Sequence, residues 1–339
     1  MKQLLPDRRS PLTPRRLTII LGILTVFLAA ASLLALSVGS VAVPFRAVIG
    51  SCTGLFPVDS MERLIIIDIR LPRVLLAFLV GAGLSVAGAV LQALLRNPLA
   101  EPYILGISSG GTMGTILAIA LASGIGHFVA PAASFAGSAL VMVLVYALAH
   151  RRGQIEPYTL LLAGVMVGAF FNALVLLTVA MFNQELRNAF LWLMGNLSGA
   201  SMETLLIAGP LTLLATAPAF MYSRQYNLIA TGDETALQLG VDVRALRRRS
   251  YAIASVITGA VVSVSGVVGF VGLIIPHVTR MIFGPDHRLL LPASFLLGGT
   301  FLILADTLAR TIIAPAEIPV GAVTAVIGAP VFIYLLRRR

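Results

Sequence analysis

Residues 17 to 38, LTIILGILTVFLAAASLLALSV, pass without one charged side chain, and runs of this kind recur along the whole chain. They are apolar on every side, so neither a soluble amphipathic helix nor a barrel strand of alternating polarity fits them. About 20 such residues in a helix cross the hydrocarbon core of a bilayer. Within lipid each backbone N–H and C=O must find a partner inside its own segment, which leaves helices. With 58% hydrophobic and 11% charged residues over 339 positions, the chain has room for about ten spans joined by short connections. The expected fold class is an all-α polytopic membrane protein, with residues 1–339 forming a single transmembrane domain.

The net charge of +10 could suggest nucleic acid, but its placement argues for membrane topology. Lys2 is the only lysine, and the arginines cluster at Arg8, Arg9, Arg15 and Arg16, at Arg151 and Arg152, from Arg244 to Arg249, and from Arg337 to Arg339. All these clusters fall on one side if the runs between them are spans, as the positive-inside rule requires. That puts residues 1–16 and the C-terminus on the cytoplasmic side, with lipid headgroups and not nucleic acid as the partner of the charge. Eighteen of the 24 positive charges obey this assignment; Arg46, Arg63, Arg70, Arg73, Arg187 and Arg310 do not. The basic start followed by residues 17–38 resembles a signal peptide, but its apolar run is too long for one and is taken as an uncleaved first span. Cys52 stands alone and allows no intramolecular disulfide.

The expected spans are 17–38, 73–95, 103–123, 128–149, 158–182, 203–222, 250–270, 272–283, 289–313 and 319–336. Span 272–283 is short and expected to break at Pro276, and 183–202, with Glu185, Arg187 and Trp192, should lie along the interface. GAGLSVAGAV at 81–90 matches GAVVSVSGVV at 259–268 at six of ten positions. Those two spans run in opposite directions, which suggests the inverted internal repeat common in transporters.

Residues 223–249 form the most highly charged interior stretch. Asp233 and Glu234 suit the positive end of a helix that stops at Gly240, and a second short helix carrying Arg244, Arg247, Arg248 and Arg249 should follow. Such an element has no use in lipid and fits a soluble partner. A Walker A loop needs a lysine after its glycines, and Lys2 cannot serve, so ATP-driven work must come from another polypeptide. Gly106-Ile107-Ser108-Ser109-Gly110 fits G-x-S-x-G, with His127 or His277 as an imaginable base for an intramembrane serine hydrolase. That elbow needs a strand–turn–helix setting, whereas this segment opens a membrane helix. His127, His150, His277 and His287 have no metal-ligand spacing, so no metal is expected.

A charge within a span costs on the order of 2.5–3.5 kcal/mol and needs a reason. Asp306 and Arg310 stand four apart and can pair. Arg70 and Arg73 sit just outside the second span. Glu101, Glu156 and Glu317 fall at turns, which leaves Asp306 as the one acid deep in a span. A cation-coupled secondary transporter, the other reading of a polytopic bundle, would need more.

Several segments together carry a resemblance: RLPR at 70–73, GAGLSVAGAVLQALLRNPLAEP at 81–102, LGISSG at 105–110, LLLAGV at 160–165, GFVGLIIPHVTR at 269–280, DHRLLLP at 286–292, LAD at 304–306, EIPVG at 317–321 and GAPVFIYLL at 328–336. In this order, over nearly the whole chain, they resemble the permease subunits of ABC importers for ferric siderophores, haem and cobalamin. The resemblance implies the type II importer permease fold and a homodimer with its pathway on the two-fold axis. It also implies two cytosolic ATPase subunits, which hold ATP and Mg, and a periplasmic binding protein that delivers cargo. This chain itself would bind no cofactor. By resemblance, Thr231, Gly232, Asp233, Glu234, Thr235, Ala236, Leu237, Gln238, Leu239 and Gly240 form the ATPase-coupling segment. Arg70, Arg73 and Arg310 would accept acidic residues of the binding protein. Asn97 and Leu99 match a constriction at the inner face, and Pro157, Tyr158 and Thr159 occupy a second gate, where Tyr158 departs from the small hydroxylated residues usual there.

Overall fold

The computed structural model describes residues 12–39, 41–54, 59–121, 128–151, 154–181 and 194–337. Helix α1 (Pro14–Ser37) starts at Thr13, whose hydroxyl accepts the Arg16 N–H, with proline in the first turn where its missing N–H costs nothing. After two short helices, α2 (Phe45–Thr53) and α3 (Ser60–Leu64), a π-helical turn at Ile65–Arg70 leads without a break into α4 (Leu71–Leu95). A 3₁₀ turn, Pro102–Leu105, precedes α5 (Ile107–Leu121), followed by α6 (Val129–Ala149). Two-residue strands, His150–Arg151 and Gln154–Ile155, pair antiparallel before α7 (Pro157–Met181). Then come α8 (Met202–Met221), α9 (Ser223–Ala230), α10 (Asp233–Gln238), α11 (Val243–Ser265), α12 (Val271–Phe283), α13 (His287–Ala309) and α14 (Val320–Arg337).

The ten expected spans fall on α1, α4 to α8 and α11 to α14. By length and composition, six described helices can cross a membrane, and three shorter ones within α5, α12 and α14 are also apolar. Helix α11 carries its arginines in its first two turns, so the expected second short helix at 244–249 is the start of this long one.

Helix α4 is the axis of the bundle, buried along nearly its whole length and flanked by α8, α11, α12 and α13. Its glycines set the spacing. A Cβ on Gly88 would lie 1.8 Å from the Gly272 carbonyl oxygen of α12, and one on Gly81 would lie 2.2 Å from that of Gly298 in α13. In lipid, where apolar surface gains nothing by leaving its surroundings, such backbone contact is what holds helices together. Helix α1 packs on α13, while α5, α6 and α7 form a second group in which Gly110 meets Gly137. The exposed sides of α1, α7 and α8 carry Ile23, Met166, Phe170, Leu206 and Leu214, as a lipid-facing surface must.

Two expectations are corrected. Helix α12 runs straight through Pro276; the interruption lies earlier, at residues 266–270 between α11 and α12. Pro276 lacks the N–H that would bond to Gly272 four residues back, and the Gln92 amide of α4 supplies a donor instead, 3.4 Å from that carbonyl. The span expected at 289–313 ends at Ala309, followed by turns. The matched segments 81–90 and 259–268 lie on neighbouring helices, Gly83 against Val261 and Ile257, but their ends differ. The first is helical throughout, and the second stops at Gly266 with φ 66°. Of the expected interfacial segment 183–202, residues 183–193 lie outside the described residues.

Candidate functional site

Residues 223–243 fold into a compact protrusion at the basic end of the bundle. Helix α9 ends at Thr231, and Gly232 (φ 122°) makes the corner into α10. Gly240 (φ 83°) reverses the chain, and the Asp242 carboxylate accepts the Ala245 N–H at 3.0 Å to cap α11. Ala236 is the buried residue of the short helix, while Thr231, Glu234, Thr235, Leu237, Gln238, Leu239 and Gly240 are exposed. Leu237 is 57% exposed and Leu239 60%, an apolar tip beside acidic and polar neighbours. Asp233 turns inward, 2.7 Å from Arg247 of α11 and 3.5 Å from Arg96 at the end of α4.

Arg96 opens the turn that carries Asn97 and Leu99, so these two sequence-derived sites meet there. The Asn97 side chain accepts the Leu99 N–H at 2.9 Å, which fixes a tight turn and leaves Leu99 exposed. At the other expected gate, Pro157 begins α7 and Tyr158 projects outward. The Thr159 hydroxyl donates to Glu156 at 2.7 Å.

The three arginines expected to accept acidic residues of a binding protein are buried, each with partners inside the chain, while Arg310 Nε makes no hydrogen bond. Arg70 donates to the carbonyls of Leu36 and Ser37 at the end of α1 and of Val41 just beyond it. Arg73 lies in the first turn of α4, within a helical run from Met61 to Leu95, and not beyond a span end. It holds Asp306 at 2.9 Å and Glu317 at 2.9 Å. Arg310 donates to the Ala35 carbonyl and stands 3.7 Å from Asp306. The expected pairing of Asp306 with Arg310 is therefore the weaker of two, and Arg73 is the main partner. Asp306 is thus fully engaged by cations, and Glu317 is the one acid of this cluster that reaches the surface.

The G-x-S-x-G segment is packing. Gly106 (φ 71°) lies against Gly164 and Gly168 of α7, Ser108 and Ser109 are buried, and no strand leads into the turn. His127 lies outside the described residues. Among the described residues no group of histidine, cysteine or acids could hold a metal ion.

A cavity of about 630 Å³ is lined by Thr112 of α5, Asn172 and Val175 of α7, Val267, Gly269 and Phe270, and Gly321 of α14. Its wall includes the interrupted stretch between α11 and α12. Sequence reasoning missed the residues that fasten this stretch. Glu101, expected in a free turn, accepts the Phe270 N–H, and the Tyr103 hydroxyl accepts the Val268 N–H at 2.9 Å. The signal available was an acid and a tyrosine flanking Pro102, polar groups next to spans without a stated partner.

Comparisons with known proteins agree with this architecture. The chain is 46% identical to the cobalamin import system permease protein BtuC of Halobacterium salinarum, over 84% of this chain and 76% of that one. It is 41% identical to the hemin transport system permease protein HmuU of Yersinia pestis, over 95% and 96%. It is 38% identical to the Fe(3+) dicitrate transport system permease protein FecD of Escherichia coli, over 93% and 97%. A solved inward-facing structure of a metal-chelate type ABC transporter superposes with a TM-score of 0.84 at 32% identity, covering 95% of this chain and 99% of the other. The model of the FecCD transport family matches residues 26–338, and the chain belongs to that family.

Proposed function

We propose that this protein is the membrane-spanning subunit of an ATP-driven importer for an iron chelate, haem or a ferric siderophore, or for cobalamin. The relatives named above carry such cargoes, and the family membership supports the same class here. The observation that carries the reading is α10. A six-residue helix that exposes Leu237, with exposed Leu239 at its C-terminal end, at the basic end of a lipid-facing bundle is built to enter a soluble partner. The chain has no lysine that could serve a phosphate loop, so that partner is the ATPase.

In this reading two copies of the chain pair, and the cavity beside α7 and α14 contributes to the pathway between them. Two cytosolic ATPase subunits bind ATP and Mg and grip α10 of each copy. Arg70, Arg73 and Arg310 belong to the outer end, where a periplasmic binding protein docks; Glu317, exposed and held by Arg73, is their route to the surface. Asn97 and Leu99, with Pro157, Tyr158 and Thr159, narrow the inner mouth. Both termini face the cytoplasm of an inner membrane. A predominantly apolar cavity with few polar groups suits passage of a large cargo, and selectivity then rests with the binding protein.

The test is reconstitution in liposomes of the chain alone and with its genome-neighbouring ATPase and binding protein, scored by uptake of haem, ferric siderophore and cobalamin. Uptake only in the full complex, with ATP, is expected. Accumulation against a gradient by the chain alone would sink the proposal.

A further inference from the structure

The turn between α4 and α5 is fastened at both ends to elements of different purpose. At its start Arg96 takes φ 48°, a left-handed conformation costly for a side-chain-bearing residue, and its guanidinium lies 3.5 Å from Asp233 of α10. At its far end Glu101 and Tyr103 accept the N–H groups of Phe270 and Val268. Between them the backbone closes on itself, Ala100 N–H to Asn97 carbonyl at 3.1 Å and Ile104 N–H to Glu101 carbonyl at 3.1 Å. Such consecutive turns have little slack.

The stretch reached by Glu101 and Tyr103 is the unwound one. Phe270 has φ 69°, a second left-handed non-glycine, and its N–H is a donor at the start of α12 with no helical partner. The Glu101 carboxylate thus closes the positive end of α12 from another part of the chain. Val267, Gly269 and Phe270 are at the same time wall residues of the cavity. A surface ion pair such as Arg96–Asp233 adds little stability, so its value lies in where it ties the chain.

We propose that residues 96–103 form a strut that transmits displacement of α10 to the unwound segment 266–270 in the cavity wall, with Arg96 and Glu101 as positioning residues at its two ends. The strut rests on the reading of α10 as the ATPase contact. When α10 shifts, Asp233 pulls Arg96, the closed turns carry the shift, and Glu101 with Tyr103 moves the hinge between α11 and α12. The inner constriction at Asn97 and Leu99 lies on the strut itself, so gate and wall respond together.

The experiment places Val267→Cys in a Cys52→Ser background, within the full complex in membrane vesicles, and follows its labelling by a small methanethiosulfonate with and without ATP. ATP is expected to change the labelling rate at least threefold in the parent. Arg96→Gln and Glu101→Leu, which removes the acceptor of the Phe270 N–H, should each remove most of that change, and Arg96→Lys should restore it. Leu237→Arg, which severs the ATPase contact without touching the strut, should remove it too. An ATP response that is missing in the parent, or that survives Arg96→Gln, overturns the strut. If it survives Arg96→Gln yet disappears in Leu237→Arg, the ATPase reading of α10 stands alone; if both variants respond like the parent, that reading falls as well. A Glu101→Leu effect that is equal with and without ATP would reduce Glu101 to a cap on α12, again overturning the proposal.

Discussion

Arg73 of α4 grips Asp306 of α13 with two nitrogens, Nε reaching both carboxylate oxygens at 3.0 and 3.1 Å and Nη2 reaching one at 2.9 Å. Both side chains are buried. Removing one partner strands a charge, a loss of about 3–5 kcal/mol, whereas replacing both by apolar groups of like size is far milder. Arg73→Met and Asp306→Leu are therefore each expected to lower the unfolding midpoint in detergent well below that of the double variant. A double variant whose loss equals the sum of the two single losses would show that the pair is not coupled.

Backbone contact between α4 and α12 makes a second prediction. Gly88→Ala puts a methyl where the Gly272 carbonyl already is, a backbone collision that no rotamer relieves. Overpacking of this kind costs about 1–3 kcal/mol. Gly22→Ala in α1 meets nothing within 4 Å and is the control, expected to be neutral within about 0.5 kcal/mol. Thermal unfolding followed by tag-accessible fluorescence distinguishes the two.

At the α10 tip, Leu237→Arg and Glu234→Arg change an exposed surface and leave buried Ala236 in place. Folding and detergent stability should be unchanged while ATP-dependent uptake by the assembled complex drops at least tenfold. Wild-type uptake in both variants would remove α10 from the coupling surface.

Asp286 supplies a pH test outside the spans. Burial opposes its ionisation, but hydrogen bonds from Arg288 and from Asn227 outweigh this and hold its carboxyl at about 2, below the ordinary 3.8. A carboxyl depressed in the folded state stabilises above its unfolded value and loses that contribution as pH falls toward the folded one. Local protection at the α12–α13 turn should therefore fade between about pH 4 and pH 2. Hydrogen exchange of the 284–289 amides would report it, and Asp286→Asn should abolish the pH dependence there.

The lipid-facing helices were legible because their apolar runs are long and their arginines fall at one end. The Asp233 start and Gly240 stop of α10 were equally plain, since capping chemistry is local. The site of the break beside α12 was not. Pro276 is the strongest helix breaker in that stretch, yet it is rescued by Gln92, which lies 184 positions earlier, a contact no local pattern reveals. Arg70 and Arg73 precede an apolar run in the sequence, but the helical run that contains both begins at Met61, and no local pattern shows that start. Glu101 looked like an ordinary turn acid for the same reason: its partner is a single backbone N–H at the start of a helix far along the chain.

The amide of Gln92 that serves the Gly272 and Leu273 carbonyls has one further consequence. Sliding α4 along α12 would bare a carbonyl to hydrocarbon, so these two helices must travel as one body. Whatever rocking the transport cycle demands of α11 relative to α12 is then left to the five residues joining them, which makes 266–270 the axle and not merely the gap.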